Sequence, residues 1–306
     1  MKLIILGNGF DLHHNYETSF NHFRTHLKNS IIAEDQNLLS KIDDLIKDDK
    51  SKQKYNLLWN DFESIIGEIM NTENYKSNTP SLIEEFTEKF YKYLLSISKI
   101  KTPQINSRLA LEFENTDTVL SFNYTSFYSN YIKNSNINVF HIHGTLSSNN
   151  LPIIGYYYLG TSRDLESVDY SKRYGGKLIH KSALSYKQNE IDLDSRIREY
   201  IQLWKNKISE IVIVGYSFGS SDSHIYHILN KIMIKQRNSD FVPKSLSKSV
   251  KAVKFTIYSF NKDNSIQLIE KIKENLSKVG RRYSVKITGG IKSKEKNILT
   301  FELKEY

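Results

Sequence analysis

The chain contains no cysteine. Disulfides, catalytic thiols and cysteine-ligated zinc are therefore excluded, and nothing points away from a cytoplasmic setting. No apolar run approaches the roughly 18 residues that a membrane helix needs. The short apolar segment after Met1 gives way at once to Gly7, Asn8 and Asp11, so no secretory leader is expected either. Internal repeats are absent, and so are the H-E-x-x-H and H-x-E patterns of zinc enzymes. His13-His14, His141-x-His143 and His224-x-x-His227 supply imidazoles without a convergent third and fourth ligand, and no metal is expected. On a strand, His141 and His143 point to one face, with His141 read as a hydrogen-bonded core histidine. The third glycine of the dinucleotide fingerprint G-x-G-x-x-G is also missing, which disfavours a hydride-transferring Rossmann enzyme.

What is present begins with charge. Forty-three basic side chains face 34 acidic ones, a formal +9 over 306 residues. The lysines are scattered through helical segments and the C-terminal third, the pattern of a solvated surface. Nucleic acid is the weakest partner the composition suggests, with Tyr156-Tyr157-Tyr158 as the stacking group it would use.

Apolar runs and helical periodicities alternate along the chain. Strands are expected at 3–6, 118–122, 139–142, 211–214 and 255–259, with two more near 283–288 and 298–303. Helices are expected at 18–29, 38–46, 57–70, 82–97, 195–207, 223–234 and 265–276, and residues 147–192 read as long loops. This order predicts one α/β domain over residues 1–306, built on a mainly parallel Rossmann-like sheet with helices on both faces. A helical insertion at about 31–105 reads as a layer, a lid or an interface.

Four of the strands empty into polar or glycine-rich turns: Gly7 to Asp11, Asn123 to Thr125, His143-Gly144, and Gly215 to Asp222. In an open α/β sheet these C-terminal ends lie along one edge, so residues far apart in sequence converge on one crevice. Glycine there lets backbone N–H groups approach a pyrophosphate. Gly215-Tyr216-Ser217-Phe218-Gly219 also matches the nucleophile elbow G-x-S-x-G. The histidines that follow it, His224 and His227, fall too close in sequence for a hydrolase triad.

Taken together, Gly7-Asn8-Gly9-Phe10-Asp11, Leu120-Ser121-Phe122-Asn123-Tyr124-Thr125, His141-Ile142-His143-Gly144 and Ile213-Val214-Gly215-Tyr216-Ser217-Phe218-Gly219-Ser220-Ser221-Asp222 resemble the bacteriophage abortive infection AbiH family. Trp59-Asn60-Asp61-Phe62-Glu63 in the helical insertion is similar to that family as well. AbiH proteins in turn resemble sirtuin-like NAD-binding domains. The resemblance implies a nucleotide-binding turn made of Gly7, Asn8, Gly9, Phe10 and Asp11, with Gly7 and Gly9 at the pyrophosphate. It places Asn123 beside the nicotinamide ribose and His143 as catalytic base. Gly215 and Ser217 would line the adenosine side, with Asp222, Ser259 and Asn261 as further contacts. Asp11, repulsive toward a pyrophosphate, is expected to cap the turn or to bond a ribose hydroxyl. The missing four-cysteine zinc module speaks against protein deacetylation.

The expected activity is hydrolysis of NAD to nicotinamide and ADP-ribose by a phage-defence effector, with NAD as substrate and no resident cofactor. A homo-oligomer, or a phage-derived trigger or partner protein, would control it. The alternatives are a nucleotide-binding module without turnover and a nucleic-acid-directed toxin.

Overall fold

A computed structural model of the chain describes residues 1–47, 62, 79–100, 117–131, 137–146, 154, 208–218, 225, 229, 253–259, 262–278, 283–293 and 296–305. Strand β1 (Lys2–Leu6) leads into the short helix α1 (Gly9–His13), followed by α2 (Phe20–Asn29), α3 (Ala33–Lys47) and α4 (Thr79–Ile100). Then come β2 (Thr118–Ser121), a 3₁₀ turn (Phe127–Tyr131), β3 (Asn138–His141), β4 (Glu210–Val214) and β5 (Val253–Ser259). Helix α5 (Lys262–Lys278) and the strands β6 (Tyr283–Ser293) and β7 (Lys296–Glu305) close the chain.

These strands form one seven-stranded sheet in the order β3-β2-β1-β4-β5-β7-β6. From β3 to β5 every pairing is parallel, with Leu3 opposite Thr118 on one side and Ile211 on the other. The pleat sorts the apolar residues: Leu3, Ile5, Leu120, Ile211, Ile213, Phe255 and Ile257 share one core. Ile4, Leu6, Val119, Val212 and Val214 share the opposite one. Helix α5 covers the first face through Ile269 and Ile272, and Phe10 of α1 with Tyr128 of the 3₁₀ turn covers the second. Burial on both faces is why these strands read as continuous apolar runs rather than alternating ones. The mainly parallel α/β sheet expected from the sequence is the fold observed.

β2 and β3 lie to one side of β1, and β4 and β5 to the other. Connections leaving β1 and β4 therefore diverge, and the crevice between their C-terminal ends is where an open sheet of this kind takes a ligand. At the opposite end the sheet is tied shut, with the Lys2 N–H donating to the buried Asp117 carboxylate at 2.8 Å.

Within the segment expected as an insertion, α3 starts earlier than its periodicity suggested, at Ala33, and α4 runs from Thr79 to Ile100. Ser19 caps α2 by accepting from the His22 N–H at 3.2 Å. Phe23 and Leu27 on α2, Leu38 and Ile42 on α3, and Phe86, Phe90, Tyr93, Leu94 and Ile97 on α4 fall at helical spacing and share a third core. Asp35 accepts from Lys89, and Arg24 pairs with Asp43 at 3.2 Å, so ionic contacts join α3 to both neighbours.

The last two strands are longer than expected and form an antiparallel hairpin with a bulge between Ile287 and Gly289. β3 stops at His141, so Ile142 and His143 occupy the turn beyond it rather than the strand. The expected helices 195–207 and most of 57–70 and 223–234, and the loops 147–192 apart from Ile154, lie outside the described residues.

Candidate functional site

Three glycines meet where β1 and β4 end. Gly215 has a φ of +57°, and a Cβ there would stand 2.3 Å from the Phe10 nitrogen. A Cβ on Gly9 would stand 2.7 Å from the Gly215 carbonyl oxygen, and one on Gly7 2.5 Å from that same atom. Only glycine permits two backbones to approach this closely. The contact is closed by Gly7 N–H donating to Val214 O at 3.0 Å and Gly9 N–H to Gly215 O at 2.8 Å. These glycines thus pack the β1 turn on the β4 turn. Their N–H groups are engaged within the protein, and a phosphate bound nearby has to find other donors.

Asp11 sits in α1 with its carboxylate turned inward and only 1 % of the residue exposed. Asn123 Nδ2 donates to its Oδ1 at 3.0 Å and Thr125 Oγ1 to its Oδ2 at 2.5 Å. The expected cap is therefore not formed, because the carboxylate is held by the end of β2. Asn8, which opens α1, makes no side-chain cap bond either, and its Oδ1 accepts from the Thr18 hydroxyl at 2.6 Å. Burial pushes the Asp11 carboxyl up from 3.8 to about 7, against hydrogen bonds from Thr125, Asn123 and Thr18 that favour its charge.

Asn123 is equally buried, and its N–H reaches Ser121 Oγ at 3.3 Å. With the amide nitrogen committed to Asp11, the amide oxygen has no hydrogen-bond partner among the described residues. A buried acceptor left without a partner is uncommon and marks a place where a ligand or water belongs.

His143 lies in the turn after β3, ahead of Gly144 at a φ of +79°. Its imidazole is buried, edge-on to Phe122 (5.6 Å between ring centres) and beside Tyr124 (5.7 Å). Those two rings flank Asn123 in sequence, so the imidazole packs against the same turn that carries the amide. Tyr124 also meets Phe20 at 6.3 Å and Phe90 at 5.5 Å, so the helical layer packs directly on the turn that carries Asn123.

His141 and His143 are partnered separately. Burial raises the Tyr128 hydroxyl and holds the His141 imidazole down at about 4, so two neutral groups share a hydrogen bond between Tyr128 Oη and His141 Nε2 at 2.6 Å. His141 is thus half-buried and hydrogen-bonded within the protein. Among the described residues no three His, Asp or Glu side chains group as metal ligands.

The structure therefore brings Gly7, Asn8, Gly9, Phe10, Asp11, Gly215 and Asn123 into one cluster, and packs His143 against Phe122 and Tyr124, the chain neighbours of Asn123. Ser217 is exposed, and its carbonyl accepts from Lys271 of α5 at 3.2 Å. The left-handed positions after β4 are Gly215 and Phe218, the latter at a φ of +52°, and not Ser217. A strained nucleophile elbow is thus not formed at the serine. Ser259 closes β5, whose Tyr258 carbonyl accepts from the Gly215 N–H at 3.4 Å. Asp222 and Asn261 lie outside the described residues. Thr18 and Thr125 complete the cluster; the sequence places Thr125 in the turn after β2 without a role of its own, and nothing in it singles out Thr18.

Sheet order, glycine contact and buried amide define a doubly wound α/β protein whose polar cluster lies at the β1/β4 switch point. A family profile described as Bacteriophage abortive infection AbiH matches residues 3–94 and 68–243, and the chain belongs to that family. Membership indicates a role in phage abortive infection. No curated protein and no solved structure matches the chain. Among the described residues, no helix is long and apolar enough to cross a membrane.

Proposed function

We propose that this abortive-infection protein acts by hydrolysing NAD to nicotinamide and ADP-ribose. The observation that carries the reading is the buried Asn123 amide oxygen, unpartnered among the described residues and fixed beside the paired glycine turns of β1 and β4. In the reaction, the C1′–N bond to nicotinamide breaks with its electron pair leaving on nicotinamide, and oxocarbenium character develops on the ribose. Water forms the new C1′–O bond and loses a proton. Asn123 holds a ribose hydroxyl, and His143 takes the proton from that hydroxyl or from water, a task typically worth about 10²–10⁴-fold in rate. NAD is substrate here, and a phage product or a change of assembly acts as trigger.

The reading is tested in phage-infected cells expressing the wild-type chain, Asn123→Ala or His143→Ala. NAD falls, and nicotinamide and ADP-ribose rise, with the wild type alone. NAD levels that stay equal in all three cultures while the wild type still protects the population would overturn it.

A further inference from the structure

The Asn123 side chain has two ends, and among the described residues only one is partnered. An ionised carboxylate offers acceptors alone, so an amide facing it must present its nitrogen. Asp11 Oδ1 receives that nitrogen at 3.0 Å, and Thr125 occupies the other carboxylate oxygen. Residues 112 apart in sequence are thereby locked together inside the fold. While Asp11 is ionised, the amide cannot turn over without setting its oxygen against the carboxylate. Its oxygen is left as a fixed acceptor, buried and unpartnered among the described residues.

We infer that Asp11 is a positioning residue that sets the polarity of the site. By fixing the Asn123 amide, it makes the crevice select a ligand group that donates a hydrogen bond, a sugar hydroxyl, and reject the same ligand without it. The ligand half of this inference rests on the nucleotide reading above; the positioning half does not. Selection follows from the asymmetry of buried hydrogen bonds: a ligand that leaves the acceptor unpaired loses far more than one that pairs it gains.

Calorimetric binding of ADP-ribose and of its 2″-deoxy and 3″-deoxy forms reads the selection without turnover. The wild type should prefer ADP-ribose over one deoxy form by about tenfold or more. Asp11→Asn, which keeps an oxygen toward Asn123, should preserve that ratio. Asp11→Leu, in which the amide is free to turn, should bring it below about threefold. A merely structural role would weaken all three ligands alike and leave the ratio intact, and that result overturns the inference. Should Asp11→Leu not fold, Asp11→Ala takes its place.

A second readout needs no nucleotide. In protein labelled with ¹⁵N-asparagine, the Asn123 side-chain NH₂ pair, assigned by its loss in Asn123→Ala, should show one hydrogen protected from solvent exchange in the wild type and Asp11→Asn. Protection is lost when position 11 is apolar. If ADP-ribose does not bind while this protection is present, the nucleotide reading fails and the positioning role stands. Rapid exchange in the wild type overturns the positioning role even if the nucleotide binds.

Discussion

A carboxyl group buried against an amide and a threonine hydroxyl makes the protein's stability depend on pH in a definite direction. In the unfolded chain Asp11 titrates near 3.8, and in the folded protein burial moves it up to about 7. Between those values the folded state binds the extra proton, so this group's contribution favours folding below pH 4 and is withdrawn as pH rises through 7. Each unit crossed is worth about 1.4 kcal/mol, a few kcal/mol at most. His141 acts in the opposite sense, because burial lowers it from 6.5 to about 4 and the folded state resists protonation below pH 6.5. Asp11→Asn separates the two. Its stability relative to wild type, from urea denaturation, should improve from pH 5 to about pH 7 and level off above that; an unchanged difference would show that the carboxyl does not titrate there. Gly215 allows a second prediction at this scale. With a φ of +57° and a neighbouring backbone nitrogen 2.3 Å from any Cβ, Gly215→Ala should cost about 2–4 kcal/mol, the range of strained or overpacked sites. Thermal unfolding measures it.

Helix α4 joins the insertion to the site. Phe90 is fully buried in the helical core, and its ring meets Tyr124, the neighbour of Asn123, at 5.5 Å. Phe90→Ala should cost about 3–5 kcal/mol and weaken ADP-ribose binding as Tyr124 loses its support. Destabilisation with binding unchanged would mean that the layer packs on the site without shaping it. The helices α2, α3 and α4 were legible because Phe23/Leu27, Leu38/Ile42 and Phe86/Phe90 recur at a spacing only one helical face satisfies. Strands β1, β2, β4 and β5 were legible as short apolar runs ending in polar turns. Pairing direction at the C-terminal edge was not, since β6 and β7 look alike whether parallel or antiparallel until the hairpin and its bulge are seen. The end of β3 was misread by one residue for a similar reason. Ile142 is as apolar and buried as a strand residue, yet it belongs to the turn.

For the molecule as a whole, strand order is what assembles a site from turns scattered along the chain. The β1/β4 switch point brings Gly7 and Gly9 onto Gly215, and the β1–β2 pairing brings Asp11 onto Asn123. Sequence alone pointed to the edge of the sheet, because four strands ended in glycine or polar turns. It could not show that the glycines pack on each other, or that Asp11 turns inward, since both are contacts between residues more than 100 positions apart. The same assembly carries the functional account. Abortive infection follows from family membership, and the proposed NAD cleavage rests on the buried acceptor amide of Asn123 beside the paired glycine turns. The most direct measurement is chromatographic assay of NAD, nicotinamide and ADP-ribose with protein purified from phage-infected cells, so that any trigger has already acted, alongside Asn123→Ala and His143→Ala prepared identically. The account predicts stoichiometric nicotinamide and ADP-ribose from the wild type and a loss of at least about 10²-fold in either folded variant. NAD left intact by the wild type, or cleaved equally by the variants, would contradict it.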